Sequence, residues 1–341
     1  MYEMFYGFDA KPFQLKPDPS FFFGSKGHKR AMAYLEYGLS QEEGFIIITG
    51  EVGAGKTTLM RNLFSKLKSE EIVAAQIVNT HLDADEILRI VAAAFGLPYI
   101  NMTKATLLLE LEEFLRQCDQ QGKRALLVVD EAQNLSAQTV EELRMLSNFQ
   151  TEDKSLLQTF LLGQPEFRKT LLGSNMQQLR QRVIATYHLG PMDALETKEY
   201  IEHRLNTVGW KNDPVINEDA FAVIHEYTSG IPRKINLLCD RMLIMGCLEE
   251  LHHFTSVEVN EVIDDFQQEF DLSTVDIAND EIGKSAGVPV NGKMIGDHNL
   301  DLENMDYRLE KMEKSVISVL DLLKQILALP SVKDSVQKDK P

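Results

Sequence analysis

The chain has 341 residues, of which 44% are hydrophobic, which allows one large domain or two smaller ones with separate cores. Its net charge of -17 disfavours generic DNA or RNA binding, because an acidic surface repels phosphate backbones and the sequence has no basic run. Its three cysteines give no disulfide framework, and the lack of a signal-peptide pattern and of bilayer-length apolar runs predicts a soluble, cytoplasmic protein.

The first 190 residues carry the pattern of an α/β fold. Residues 1–40 comprise an aromatic, proline-rich and apparently irregular segment, Met1–Ser25, and a helix predicted over His28–Leu39. The six phenylalanines of that segment are expected to pack on the following domain. Helical and strand-like patterns alternate across residues 41–190, which predicts a parallel sheet sandwiched by helices. The predicted strands are Gly44–Thr49, Ile72–Val78, Ala125–Val129, Leu156–Leu162 and Thr186–Leu189. The predicted helices are Leu59–Lys68, Asp83–Phe95, Lys104–Gln121, Val140–Phe149 and Phe167–Leu172.

The pattern changes after Pro191. Residues 191–270 contain only helical periodicity and are predicted to form a small all-helical lid domain, and residues 271–300 form a polar linker. Residues 301–330 predict a C-terminal heptad helix, because apolar residues recur at alternating three- and four-residue steps. These residues are Leu302, Met305, Leu309, Met312, Val316, Val319, Leu323 and Ile326. A coiled coil that self-associates or binds a partner is favoured over an amphipathic helix folded back on the preceding domains.

A glycine-rich sequence follows the first predicted strand. Gly50-Glu51-Val52-Gly53-Ala54-Gly55-Lys56-Thr57 matches G-x-x-x-x-G-K-[ST], the pattern of a P-loop between a strand and a helix. Its backbone N–H groups are expected to surround a phosphate at the helix N-terminus. Lys56 is predicted to reach the β- and γ-phosphates of ATP, and Thr57 to ligate Mg²⁺. The residues predicted to bind nucleotide are Gly50, Glu51, Val52, Gly53, Ala54, Gly55, Lys56, Thr57 and Thr58. A merely flexible glycine loop is disfavoured by the strand and helix on either side.

Two acidic residues end the apolar strand Ala125–Val129. Asp130 and Glu131 should lie at the carboxyl edge of the sheet, beside the P-loop, where open α/β sheets bind ligands. Asp130 is predicted to hold Mg²⁺, and Glu131 to orient or deprotonate the attacking water. A turn or helix cap is the alternative, and the upstream P-loop favours the catalytic interpretation.

These features resemble the AAA+ ATPases over about Phe5–Phe270. The resemblance implies a P-loop NTPase (AAA+) fold and a polar sensor after the fourth strand, where Gln164 stands; a plain turn residue is the alternative. It also implies that Arg233, in Gly230-Ile231-Pro232-Arg233, is the second sensor, which reaches the nucleotide from the helical domain.

An arginine that enters the neighbouring subunit's active site is the last part that the resemblance implies. In AAA+ rings it precedes the last strand, where this chain has Leu179-Arg180-Gln181-Arg182-Val183. Arg182 is favoured and Arg180 is second, with a surface arginine as the alternative. Such a residue is worth about 10³- to 10⁵-fold in rate in related systems.

A narrower resemblance connects the chain with the ExeA-type general secretion ATPases. It is carried by Met1–Gly7, Lys11–Phe13, Pro17–Pro19, Phe22-Phe23, His28, Tyr37–Leu39, Val128–Leu135 and Leu161–Phe167. Within that group the chain is similar to the ATPase associated with exosortase and PEP-CTERM sorting, over Glu43–Asn62, Glu141–Phe149 and Gln178–Pro191. This implies work beside exopolysaccharide export in Gram-negative bacteria.

One departure from the ExeA-type pattern affects the expected partners. Proteins of that type carry a transmembrane helix and a periplasmic peptidoglycan-binding region after the ATPase, whereas this chain continues with the polar linker and heptad segment. Direct binding to the cell wall is therefore not expected, and any role at the inner membrane should run through protein partners. The resemblance also places apolar side chains such as Phe13 near the adenine, with simple packing under the helical domain as an equal alternative.

Three functions are compatible with these motifs. The first is a homo-oligomeric Mg²⁺-ATPase that acts on protein partners of a secretion or exopolysaccharide-export system. The second is a DNA-transposition regulator, which the net charge and the lack of a basic tail disfavour. The third is a nucleotide-switched assembly protein with little turnover, and Glu131 disfavours it because binding alone does not need that residue.

Overall fold

A computed structural model describes residues 1–41, 43–68, 70–78, 84–152 and 154–268. The linker predicted over residues 271–300 and the heptad segment of residues 301–330 lie outside the described residues. The strands are β1 (Phe45–Gly50), β2 (Ile72–Ile77), β3 (Arg124–Val129), β4 (Leu157–Gly163), β5 (Val183–Leu189), β6 (Val215–Ile216) and β7 (His253–Phe254). The first helices are α1 (Tyr2–Tyr6), α2 (Lys26–Gln41), α3 (Lys56–Lys66), α4 (Ala84–Ala94), α5 (Lys104–Gln120) and α6 (Ala137–Leu146). The later ones are α7 (Pro165–Leu172), α8 (Gln177–Arg180), α9 (Ala194–Thr207), α10 (Glu218–Thr228), α11 (Pro232–Leu248) and α12 (residues 256–268).

Five strands form one parallel sheet in the order β2-β3-β4-β1-β5. Side chains alternate between its faces, as the pleat of a strand requires. Phe45 and Ile47 pack with α4–α7 on one face, and Ile46 and Ile48 pack with α2 and α3 on the other. Because both faces are covered, the strands read as nearly continuous apolar runs. The predicted α/β class and helix-sandwiched parallel sheet are confirmed.

Helix α6 starts three residues before the sequence predicted, because a polar cap precedes its apolar stripe. Helix α6 begins at Ala137, before the first apolar residue of its buried face, since the Ser136 hydroxyl accepts a hydrogen bond from the Thr139 N–H. Helix α9 begins after a capping box in which Asp193 and Glu196 accept from each other's backbone N–H groups. Such caps set where a helix starts independently of hydrophobic periodicity.

The region after Pro191 is not entirely helical, which corrects the prediction of an all-helical lid. Strands β6 and β7 form a two-residue parallel pair, with hydrogen bonds from the Val215 N–H to the His252 carbonyl and from the Asn217 N–H to the Phe254 carbonyl. Two residues are too few to produce an alternating pattern, so the pair leaves no periodic signal in the sequence. Helices α9–α12 make up the rest of the described part of this region, which we call the lid.

The N-terminal segment is more ordered than predicted and packs against the lid. Helix α1 lies on α11, where the Tyr2 hydroxyl donates to Asp240 at 2.5 Å and the Tyr6 hydroxyl to the Leu251 carbonyl at 2.9 Å. All six phenylalanines of the segment are buried or half-buried, as expected. Five residues give too short a helix for periodicity to show, so α1 was not predicted.

A buried arginine fixes the middle of this segment. Arg204 on α9 donates to the carbonyls of Pro12 at 2.6 Å and Gln14 at 3.3 Å, and its guanidinium lies 4.8 Å from the centre of the Phe21 ring. Further along, the Pro17 carbonyl accepts from Arg61 on α3. The segment therefore runs from the lid to the sheet domain.

Among the helices of the described residues, none combines the length and apolar character needed to cross a bilayer.

Candidate nucleotide-binding site

The carboxyl ends of β1, β3 and β4 meet at one edge of the sheet. Strand register aligns Thr49 of β1 with Gly163 of β4, and Leu161 of β4 with Val129 of β3. The P-loop follows β1, Asp130 follows β3 and Gln164 follows β4. The parallel sheet thus brings together three sequence elements that are far apart in the chain, at the edge where such sheets bind ligands.

The P-loop wraps closely because two of its glycines leave no room for a side chain. Gly53 and Gly55 have φ angles of 81° and 95°, in the left-handed region. A Cβ on Gly53 would lie 2.3 Å from the Cβ of Arg233, and one on Gly55 would lie 2.7 Å from Nε2 of His28. The motif fixes Gly50 and Gly55, and a Cβ on Gly50 would lie 2.7 Å from the Leu189 carbonyl oxygen. Gly55 is also the N-cap residue of α3, so the free N–H groups at the start of that helix face the loop.

Lys56 lies inside the loop rather than on the surface. Its side chain is buried, and its ammonium donates to the carbonyls of Gly50 at 2.6 Å and Glu51 at 3.1 Å. Burial lowers the pKa of Lys56, and the nearby carboxylates of Glu131 and Asp130 oppose that shift. An ammonium has three N–H donors, so a phosphate oxygen can take a further bond.

Thr57 and Asp130 form a pair suited to a hydrated Mg²⁺ ion. The Thr57 hydroxyl donates to an Asp130 carboxylate oxygen at 2.8 Å, and Asp130 is almost fully buried. A hydroxyl and a carboxylate side by side are oxygen ligands of the kind that Mg²⁺ prefers when it also binds phosphates. The donor set therefore fits the ion that the sequence predicted.

Glu131, two residues after the end of β3, has an unusual backbone conformation. Its φ of 53° lies in the left-handed region, and its N–H donates to Asp130 at 3.0 Å. One carboxylate oxygen, Oε2, accepts from the side-chain amide of Gln133 at 2.6 Å and from that of Gln164 at 3.3 Å. Strained backbone of this kind, which costs about 1–3 kcal/mol, is concentrated at functional sites. The structure thus brings Glu131 and Gln164 together.

A cavity of about 200 Å³ opens beside the P-loop. Three parts of the chain line it: the N-terminal segment, the P-loop with Thr57, Thr58 and Glu131, and the lid. Phe21, Phe22 and Phe23 contribute aromatic side chains, whereas Phe13 is 2% exposed and lies in the lid core. Packing under the helical domain is therefore the role of Phe13 itself, and its neighbours line the cavity.

Arg233 brings the lid to the P-loop. Its backbone N–H donates to the Gly53 carbonyl at 3.2 Å, and its side chain lines the cavity. Pro232 starts α11, so the N-terminus of that helix faces the loop. The position matches the one predicted for a residue that reaches the nucleotide from the lid.

Arg182 and Arg180 are not part of the cavity of their own chain. Arg182 directly precedes β5, whose opposite end pairs with Gly50, so it lies about 20 Å from the P-loop along a seven-residue strand. Its guanidinium donates to Ser147 and to the Asn148 side chain. Arg180 donates to the carbonyls of Leu171 and Gly173 at the end of α7. The Arg182 side chain therefore cannot reach the nucleotide site of the same chain, and Arg180 is held at the end of α7.

Comparison with known proteins agrees with this arrangement. Residues 39–171 match the family model described as AAA domain. The chain is 38% identical over 261 residues to general secretion pathway protein A of Aeromonas hydrophila, covering 76% of this chain and 47% of that protein. The chain therefore spans about half the length of this relative.

Solved structures with the same fold include two archaeal proteins. The Aeropyrum pernix ORC2 protein superposes with a TM-score of 0.57 at 17% identity, covering 75% of this chain and 71% of that one. CDC6P from Pyrobaculum aerophilum gives 0.58 at 17% identity, covering 73% and 70%. The chain has the P-loop AAA fold. At these identities the likeness establishes the architecture alone.

Several residues of this AAA fold contact the site although the sequence analysis assigned them no role. They are Ser25, His28, Gln133, Tyr200, Arg204 and Asn236. Most act through contacts with residues far away in the chain, which no local pattern records. Gln133 is the exception, since it stands two residues after Glu131 and a search for polar groups beside the acid would have found it.

His28 supports the P-loop of the AAA fold from below. Its ring is buried against Gly55, hydrogen-bonds to the Ala54 backbone, and lies 2.7 Å from the Ser25 hydroxyl. Burial lowers the pKa of His28 below its ordinary value of 6.5, while the Ala54 bond and Glu196 oppose the shift. At pH values between the folded pKa and 6.5, His28 is therefore neutral in the folded protein and protonated in the unfolded chain.

We expect His28 to make stability depend on pH. Because its folded pKa is depressed, the stabilisation is complete above 6.5 and is lost as pH falls through that value toward the folded pKa. His28→Gln should weaken this dependence. The measurement is the urea midpoint of both proteins between about pH 7.5 and 5.5, a window in which histidines titrate. The other histidines are common to both proteins and cancel, so parallel curves would contradict the assignment.

Proposed function

We propose that this chain is a Mg²⁺-dependent ATP hydrolase of the general secretion protein A (ExeA) kind. The observation that carries the proposal is the hydrogen bond between Thr57 and Asp130, with Glu131 one residue further on and Lys56 beside it. The groups that we propose to bind phosphate, bind Mg²⁺ and activate water share one edge of the sheet. Binding alone would not need Glu131, so the arrangement favours hydrolysis over a nucleotide switch without turnover.

Phosphate binding follows from the loop and helix α3. The free N–H groups at the start of α3 and the Lys56 ammonium would bind the β- and γ-phosphates. Mg²⁺, held by Thr57 and Asp130, would neutralise charge on the same phosphates. Lys56 would keep its bonds to the Gly50 and Glu51 carbonyls and donate its third N–H to a phosphate oxygen.

Hydrolysis needs a water molecule in line with the γ-phosphate. Glu131 lines the cavity, and its carboxylate would orient that water and accept its proton. Gln164, whose amide lies 3.3 Å from the same carboxylate, would contact the γ-phosphate or the water. Phosphoryl transfer requires positioning and charge stabilisation more than covalent chemistry, and these contacts would supply the positioning of the water.

The base would lie between the N-terminal segment and the lid. Phe21, Phe22 and Phe23 offer apolar surface there, and Arg204 fixes the segment by holding the carbonyls of Pro12 and Gln14. Arg233 extends the lid to the phosphates. A nucleotide in this cavity contacts both domains, so its hydrolysis can change the angle between them.

A ring or other homo-oligomer would complete the site. Arg182 lies at the edge of the sheet opposite the P-loop of its own chain, so only a neighbouring copy can bring it to a nucleotide. This is the arrangement in which one subunit senses the nucleotide of the next. Arg180 is the second candidate.

The pathway belongs to the same proposal. The relationship to general secretion pathway protein A supports work on protein partners at the inner membrane. An exosortase or PEP-CTERM system linked to exopolysaccharide export is the specific setting that we favour, from the closer sequence resemblance of the P-loop region. The transposition alternative is disfavoured by the net charge of -17.

Replacing Lys56 tests the nucleotide site directly. Lys56→Ala removes a charged hydrogen-bond donor to phosphate, so the affinity for Mg²⁺-ATP should fall by about 10- to 100-fold. A titration with fluorescent ATP measures this, and phosphate release from the wild type measures turnover. Lys66→Ala, an exposed lysine in the last turn of the same helix, is the matched control. Equal ATP affinity in Lys56→Ala and the wild type would contradict the proposed site.

A further inference from the structure

The side-chain amide of Gln133 joins two loops of the site. Its Nε2 donates to Oε2 of Glu131 at 2.6 Å, and its Oε1 accepts from the backbone N–H of Gln164 at 2.9 Å. One loop follows β3 and the other follows β4. Both polar ends of one amide are therefore used to tie Glu131 to Gln164, the residue proposed to contact the γ-phosphate.

The turn that carries Gln133 is held in place by a backbone hydrogen bond and by packing on the core. Residues Ala132–Asn134 form one turn of 3-10 helix, in which the Asn134 N–H donates to the Glu131 carbonyl at 3.0 Å. Ala132 and Leu135 are buried in the core that covers this face of the sheet. A turn anchored on both sides of Gln133 holds its side chain at a defined distance from Glu131. Gln133 itself is half-buried.

We propose that Gln133 is a positioning residue, which sets the orientation of the Glu131 carboxylate and couples it to the Gln164 loop. This inference rests on the proposed ATPase function. Glu131 lines the nucleotide cavity and Gln133 does not, so Gln133 acts through Glu131 rather than on the substrate.

Among side chains of this length, only an amide can both donate to the Glu131 carboxylate and accept from the Gln164 N–H. Glutamate would keep an acceptor for the Gln164 N–H and would place a second negative charge against Glu131. Leucine would keep the volume and lose both hydrogen bonds. A Gln164 loop that moves on contact with the γ-phosphate would pull on Glu131 through the same amide, so the acid would respond to the presence of ATP.

Turnover and binding should separate in variants of Gln133. For Gln133→Leu and Gln133→Glu, we expect the maximal rate of ATP hydrolysis to fall by about 10- to 100-fold, as small misplacements of a catalytic group do. The KM and the dissociation constant for Mg²⁺-ATP should stay within about twofold, because the phosphate-binding residues are untouched. Gln121→Leu is the matched control, since Gln121 is exposed near the start of β3, at the opposite edge of the sheet.

A double variant separates positioning from a structural role. In a Glu131→Gln background, Gln133→Leu should cost no further turnover, because its effect passes through the missing acid. An additive loss of turnover in the double variant would overturn the proposal. So would a loss of turnover in Gln133→Leu that comes with a lower melting temperature and a comparable loss of ATP affinity. So would unchanged turnover in Gln133→Leu while the wild type hydrolyses ATP. If the wild type itself shows no turnover, the ATPase function is contradicted, and the positioning role of Gln133 is contradicted with it.

Discussion

Replacing Glu131 with glutamine should leave Mg²⁺-ATP binding intact and lower the rate of hydrolysis by about 10²- to 10⁴-fold. Glutamine has the same shape and can still accept from the amides that contact Glu131 Oε2. It cannot take a proton from the attacking water. The change therefore removes the proposed chemistry and retains the packing around the end of β3.

Steady-state phosphate release and equilibrium ATP binding, measured on the same preparation, test this expectation. Glu166→Gln is the matched control, because Glu166 is an exposed acid at the start of α7 whose charge also acts on Lys56. It should change turnover only a few-fold, the effect of one nearby surface charge. Turnover by Glu131→Gln at the wild-type rate would show that another group activates the water.

The sequence predicted the sheet well because burial on both faces leaves a strong local record. Strands β1 and β3 are continuous apolar runs that end in polar motifs, and the change from strand to helix at the P-loop is abrupt. The phosphate-binding residues could also be located, because a loop that surrounds phosphate needs glycine at fixed spacing. Gly50 and Gly55 show why: the Leu189 carbonyl and His28 occupy the space that their side chains would take.

Other parts of the site could not be predicted from local patterns. Arg204 reads as one charged residue of an amphipathic helix, yet it is buried and holds Pro12, about 190 residues away, by a hydrogen bond. His28 contacts the P-loop at Gly55, 27 residues further along the chain. Such contacts depend on how the lid and the N-terminal segment meet, which periodicity does not encode. Burial against a partner, rather than residue type, determines their roles.

Arg182→Ala should abolish the part of the turnover that depends on protein concentration, with a loss of about 10³- to 10⁵-fold if a neighbour's arginine completes the site. The carbonyl of Arg182 accepts from the Phe45 N–H at 2.9 Å, so the sheet itself fixes its backbone. Its guanidinium is held outward by Ser147 and by Asn148. The bond to Asn148 is exposed and can be exchanged for one to a phosphate of the next subunit.

Arg180 provides the internal comparison for this test. Its guanidinium binds the carbonyls of Leu171 and Gly173, where a cation stabilises the C-terminal end of helix α7. Arg180→Ala should therefore lower the melting temperature more than it lowers turnover. Arg182→Ala should do the reverse, because the backbone bonds that fix this part of the sheet remain.

The decisive measurement is ATP turnover per chain as protein concentration increases, for the wild type and both variants. A rise in the wild type that Arg182→Ala lacks would place Arg182 in a site shared between copies. A rise that only Arg180→Ala lacks would transfer the role to Arg180. A flat wild-type curve, with Arg182 dispensable, would mean that the site works within one chain. The distance along β5 then excludes Arg182 from the chemistry, and Arg204 and Arg233 remain as arginines that line the cavity.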